Sequence, residues 1–166
     1  MKVRDVMAPN PMTLPPTTSV ATAAVALAES KVGGCPVVDP KTGAVVGVLT
    51  ELNILEALAQ QHRELRMLMP PEIAFGISFV EIVRDREALA VFAELRDRPI
   101  SEIMTREVVT VAPDDDVETV IRAMVRRRIH RVPVLAGVAV DGIVTRTDVL
   151  RGFFRTLETP TRGGPA

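Results

Sequence analysis

Residues 142–150 read Gly-Ile-Val-Thr-Arg-Thr-Asp-Val-Leu, and residues 47–55 read Gly-Val-Leu-Thr-Glu-Leu-Asn-Ile-Leu. The stretch occurs twice, so Thr50 answers Thr145 and Asn53 answers Asp148 at an offset of 95. Working upstream, a hairpin two residues shorter in the second copy shifts the offset to 97. At that spacing Pro36 meets Pro133, Ala26 meets Ala123, Val20 meets Val117, Thr13 meets Thr110, and Val3–Met7 meets Ile100–Met104. Two copies of roughly fifty residues, each too small to bury a good core alone, must pack on each other. A packed duplication generates a pseudo-twofold axis and paired, related clefts at its seam. Differences between the copies then indicate which cleft is used.

Each copy carries the same order of signals. A short extended piece (Pro11–Leu14; Val108–Val111) leads through proline to a helix start. Thr18 and Ser19 precede the alanine-rich Val20–Glu29, a composition that favours helix behind residue types that cap one. In the second copy Asp114, Asp115 and Asp116 precede Val117–Arg128. Asp115 and Glu118 have capping-box spacing, and the acids suit the positive end of the helix dipole. Two β-branched runs follow, Cys35–Asp39 and Ala44–Leu49, joined by the turn residues Pro40–Gly43. Their counterparts are Val132–Leu135 and Val138–Val144, turning at Ala136-Gly137. A helix beginning near Glu51 or Arg146 closes each copy, giving the order β-α-β-β-α. Residues 1–59 and 100–155 are thus the two motifs. Between them lies an insert over 60–99, broken at Pro70-Pro71. Its Ser78–Leu95 predicts a connecting helix with Phe79, Ile82, Leu89 and Phe92 on one face, packed on the module or on a partner. The tail over 156–166, rich in Thr, Pro and Gly, is expected to be disordered.

Composition narrows the function. With 166 residues this is one compact domain or two half-domains sharing a core. Its 47% apolar content includes no run of about eighteen uncharged apolar residues, so no membrane span is expected. The start, MKVRDVM, lacks a signal peptide's apolar stretch, and a cytoplasmic protein is expected. A net charge of −1 and the absence of Trp and Tyr argue against nucleic-acid binding. The apolar excess points instead to surface buried in self-association, hence a homodimer. Cys35, the single cysteine, sits in an apolar strand as a small hydrophobe. Only His62 and His130 are present, with no P-loop, zinc motif or nucleophile elbow. No catalytic and no metal residues are assigned, and no enzyme is expected; His62, in the charged stretch Gln60–Arg66, reads as solvated.

The assembled motifs resemble a tandem pair of CBS domains, also called a Bateman module. They are D-V-M and E-I-M at the copy starts, T-L-P-P and T-V-A-P, C-P-V-V-D and V-P-V-L, and the two nine-residue endings. The resemblance implies an α/β (α+β) fold of two pseudo-twofold related β-α-β-β-α motifs packed through their sheets, with the helical insert as an addition. It implies a regulatory adenine nucleotide (AMP, ADP or ATP), no required cofactor, frequent dimers, and output passed in trans to a protein target yet to be identified.

The residues suited to a ligand lie at the start of the last helix. A helix N-terminus there, at Thr145-Arg146-Thr147-Asp148, offers unpaired N–H groups and a positive dipole end to a phosphate. A carboxylate can accept from both ribose hydroxyls, and the resemblance assigns that role to Asp148, with Thr145 and Thr147 near the phosphate. Thr-x-x-Asp is equally a capping box, and Thr50-x-x-Asn53 reads the same way. What capping leaves unexplained is His130-Arg131, directly before the second-copy strand, where the first copy has Gly33-Gly34. Arg126 and Arg127 read as a solvated helix face. His130-Arg131, at a strand entry that the fold sets beside the helix start, reads as a phosphate clamp. By the family pattern Met12, Thr13 and Val32 meet the adenine. The mirror cleft would take Thr50, Asn53, Val109, Thr110 and Ile129, and lacks both the carboxylate and the cations. A ligand-free scaffold is the competing reading; it has no need of the His130, Arg131 and Asp148 set.

Overall fold

The structure is a computed structural model, and it describes residues 1–61 and 93–158. The fold is mixed α+β and forms two compact units, one of Met12–Glu107 and the other of Met1–Pro11 with Val108–Ala166. The predicted helix over Ser78–Leu95 lies outside the described residues except for Ala93–Leu95, which are helical; His62 also lies outside.

In the first-repeat unit, helix α1 spans Val20–Ser30. Ser19 caps it, its hydroxyl accepting from the Thr22 N–H at 3.2 Å. Lys31 ends it in the left-handed region at φ 53°. Strands β2 (Gly34–Val38) and β3 (Val45–Thr50) pair antiparallel, with Gly34 opposite Thr50 and Cys35 opposite Leu49. The hairpin turns through Asp39, whose carboxylate accepts from the Lys41 N–H, and Gly43 at φ +72° supplies a backbone conformation most side chains avoid. The extended piece reaches the sheet as a parallel bridge from Leu14 to Val37. Helix α2 (Glu51–Gln61) follows directly. The core gathers Val20, Leu27, Cys35, Leu49, Ile54 and Leu58, together with Leu95, Ile100 and Met104 from the chain entering the second repeat.

The second-repeat unit is built to the same plan. Helix α3 spans Val117–Arg127, β4 Arg131–Ala136, β5 Ala139–Thr145 and helix α4 Arg146–Glu158. A two-residue strand β1, Ala8–Pro9, adds to the free edge of β5 through Ala8 and Ile143. Val3 is fully buried in this unit's core with Val111, Val120, Val132 and Val144. Each leading segment therefore folds into the core of the other repeat: Val3 into the second, Ile100 into the first. In both units a methionine two residues past that segment's single helical turn (Val3–Asp5 and Ile100–Glu102) lies over a glycine. Met7 covers Gly142 and Met104 covers Gly47, and a Cβ on either glycine would collide with the methionine sulfur.

Three expectations need correction. Asp115 and Glu118 form no capping box: Asp116 is the cap residue, without a side-chain cap bond. Asp115 accepts from the Ala112 N–H at 2.8 Å, and Glu118 pairs with Arg122 one turn on. The acids instead receive the leading segment, since Lys2 pairs with Asp116 at 2.9 Å and Arg4 with Asp114. The β4–β5 turn is Gly137-Val138 rather than Ala136-Gly137, with Gly137 at φ +67°. The tail reading starts too early, because Thr156–Glu158 continue α4; residues 159–166 lie outside the described residues.

Candidate ligand-binding site

The register of the β4–β5 hairpin decides what meets the start of α4. Arg131 stands opposite Thr145, and the N–H of Arg146 donates to the carbonyl of His130 at 3.2 Å. His130, Arg131, Thr145, Arg146 and Asp148 are thereby gathered at one end of the sheet, as the strand-entry argument requires. Thr147 is exposed on the first turn of α4.

Thr145 and Asp148 close a reciprocal cap. Asp148 Oδ2 accepts from the Thr145 N–H at 2.9 Å and from its hydroxyl at 2.6 Å, while Thr145 Oγ1 accepts from the Asp148 N–H at 3.3 Å. The cap occupies one carboxylate oxygen. Oδ1 faces the Arg151 guanidinium at a loose 3.6 Å, and the Asp148 side chain is 16% exposed. The cap therefore uses Oδ2 alone and leaves Oδ1 outside its hydrogen bonds.

The electrostatics are those of a cationic cluster. Burial, and then the charges of Arg146 and Arg131, hold the His130 imidazole below its ordinary value of 6.5. His130 is thus neutral at pH 7 beside two guanidinium groups, in a positive local field. Arg146 belongs to this cluster, and sequence reasoning gave it no role. The signal was present in the repeat itself, because Arg146 aligns with Glu51, a reversal of sign.

The first repeat repeats the geometry without the chemistry. Thr50 and Asn53 make the same cap, with Asn53 Oδ1 accepting from the Thr50 N–H and hydroxyl, both at 2.9 Å. The rest of the Asn53 side chain is an amide NH2, which donates to Thr105 Oγ1 at 3.3 Å. An amide nitrogen cannot accept from a ribose hydroxyl. Gly33 takes the place of His130, its carbonyl accepting from the Glu51 N–H at 3.2 Å, and Gly34 takes that of Arg131.

The remaining predicted residues fall as follows. Met12, Thr13 and Val32 belong to the first-repeat unit, where the Ser30 hydroxyl donates to Met12 Sδ at 3.4 Å and Thr13 is exposed. Val109, Thr110 and Ile129 belong to the second-repeat unit. Ile129 packs on its core, Thr110 is exposed, and Val109 lines an open cavity of about 460 Å³ with Thr119, Arg122 and Arg126 of α3. That lining includes neither His130 nor Asp148. Among the described residues no helix is long and apolar enough to cross a membrane.

Comparison with known proteins gives this arrangement its class. The family model of the CBS domain matches residues 3–60 and 100–155. The chain belongs to the CBS-domain family, as a tandem pair. An uncharacterised protein of Methanocaldococcus jannaschii is 25% identical over 127 residues, 75% of each chain. The curated relatives it matches are spanned to between 23% and 75% of their length. Among solved structures, the CBS domain pair of protein MJ0100, in complex with 5′-methylthioadenosine and S-adenosyl-L-methionine, is 28% identical with a TM-score of 0.69, covering 94% of this chain and 98% of that one. CBSX2 in complex with AMP is 26% identical with a TM-score of 0.67, covering 95% and 98%.

Proposed function

We propose that this protein is a regulatory module that binds an adenosine-containing nucleotide of the AMP, ADP or ATP class and passes its state in trans to a protein partner. The observation that carries the reading is the split use of the Asp148 carboxylate beside His130, Arg131 and Arg146. One oxygen caps α4 and the other is left for ribose hydroxyls, while the cations and the N–H groups of the helix start receive phosphate. Thr145 and Thr147 lie on the phosphate side, and Met12, Thr13 and Val32 are assigned to the base by the family pattern. The two relatives above were solved with adenosine compounds. The cationic set in this chain favours a phosphorylated one over a sulfonium, whose charge it repels.

Binding biases one of two conformations or assemblies, and a partner reads the shift. A ligand at a hundredfold excess over its Kd supplies about 2.7 kcal/mol, enough for a modest switch. The module acts in the cytoplasm as a homodimer. The test is calorimetry of AMP, ADP, ATP and S-adenosylmethionine on wild type and on His130→Ala/Arg131→Ala. One phosphorylated nucleotide should bind, and the double substitution should weaken it at least tenfold, since hydrogen bonds to charged groups are each worth about 1.5–3 kcal/mol. No binding by any of the four would favour a scaffold.

A further inference from the structure

The two helix starts share a cap but differ at the far atom of the capping side chain. In the first repeat the Asn53 NH2 donates to Thr105 Oγ1 at 3.3 Å. The sheet edge fixes Thr105 for that contact, because its backbone exchanges hydrogen bonds with Val48 at 2.9 and 3.0 Å. In the second repeat the corresponding atom is Asp148 Oδ1. Arg151 Nη1 stands 3.6 Å from it, beyond hydrogen-bond length, and Oδ1 accepts no hydrogen bond from the described residues.

The difference follows from one further change between the copies. At the offset of 97 Thr105 falls on Ala8, and at 95 Val48 falls on Ile143. Ala8 pairs with Ile143 in β1, so it holds the same station on the sheet edge, with a methyl where Thr105 carries a hydroxyl. Asn53 and Thr105 belong to one unit, Ala8 and Asp148 to the other. Each unit therefore has a hydroxyl position beside its capping residue, and only the first repeat fills it from its own chain.

We infer that the Thr105 hydroxyl is a built-in substitute for a ligand hydroxyl, and that Ala8 keeps the matching position at Asp148 open for one. This rests on the nucleotide reading above and adds to it the pair of residues that selects between the two ends. A ribose hydroxyl on Oδ1 gains a charge-assisted bond to a carboxylate that is only 16% exposed, where water competes less than at the surface. At Asn53 the same hydroxyl would have to displace Thr105, and it would then meet an amide nitrogen that cannot accept from it. The first-repeat end is thus closed by its own chain as well as lacking the cations.

Ala8→Thr tests this on the full chain by copying the closure into the second repeat. Calorimetry with AMP, ADP and ATP should show binding at least about tenfold weaker than in wild type. Without ligand, the variant should melt about 2–4 °C above Ala8→Val, which has the same shape and no hydroxyl. Binding of wild-type strength in Ala8→Thr would overturn the inference. So would weaker binding with no higher melting temperature than Ala8→Val, since bulk alone would then explain the loss. The first repeat supplies a second pair of variants: Thr105→Ser should melt close to wild type and Thr105→Val below it. Equal melting of these two would show that the Thr105 hydroxyl closes nothing. A wild type that binds none of the nucleotides would count against the nucleotide reading alone, whereas the melting comparisons, made without ligand, still decide whether the hydroxyl positions exist.

Discussion

At Asp148 and Asn53 one position performs the same structural task with two side chains, and the difference between them separates structure from function. Both cap their helices through one oxygen, so the cap does not require a carboxylate. Asp148→Asn should therefore keep the melting temperature close to wild type while weakening nucleotide binding at least tenfold, by loss of a charged acceptor. Asp148→Ala should also lose about 1 kcal/mol of stability with the cap. Thermal melts alongside calorimetry check both; unchanged affinity in the asparagine variant would remove Asp148 from the site. His130 gives a pH signature. Its folded value is depressed, so in the free protein the unfolded state takes up a proton first as pH falls below 6.5. The stability present above that value is then lost as pH drops through the folded value, and His130→Ala should flatten that part of the profile. Phosphate favours the charged imidazole, so nucleotide binding near pH 7 should take up a proton. Calorimetry in two buffers of different ionisation enthalpy measures this, with His130→Ala as the reference for the nucleotide's own titration.

The elements were legible in the sequence wherever local chemistry sets them. Ser19 before an alanine-rich run, β-branched strands around Gly43, and Thr145 and Asp148 three residues apart each carry their structure in a few positions. What was not legible depends on long-range choice. Asp115 and Glu118 satisfy the spacing of a capping box, but Asp115 is claimed by the Ala112 N–H and Glu118 by Arg122. Similarly, Val3–Met7 and Ile100–Met104 share one pattern, a β-branched residue, a polar residue, an acid, a β-branched residue and methionine, and nothing in either says which core it enters. The structure sends Val3 to the second repeat, where it is fully buried. Val3→Ala should accordingly cost about 2 kcal/mol, the order found for removing buried methyl groups. The loss should appear as faster hydrogen exchange in α3, β4 and β5, with β2 and β3 protected as in wild type. Exchange rising in β2 and β3 instead would contradict the observed partition.

Across the whole molecule, the duplication made the family and the candidate site readable, because two copies allow each residue to be compared with its own counterpart. The comparison predicts unequal sites. Calorimetry on the wild type should return one strong nucleotide site per chain, weakening with added salt as a phosphate contact must. Two equal sites would mean that the Asn53 end binds as well, and a single site untouched by His130→Ala/Arg131→Ala that it binds instead. The exchanged leading segments also bear on how the chain comes into being. Val3 closes onto Asp115 and Val111 across the whole first repeat and the insert, a long-range contact whose loop-closure entropy must be met before the second core is complete. A chain cut within the insert therefore yields two halves that each hold a piece of the other's interior. Such halves should be poorly folded apart and regain structure on mixing, a split protein whose reassembly is written into its connectivity.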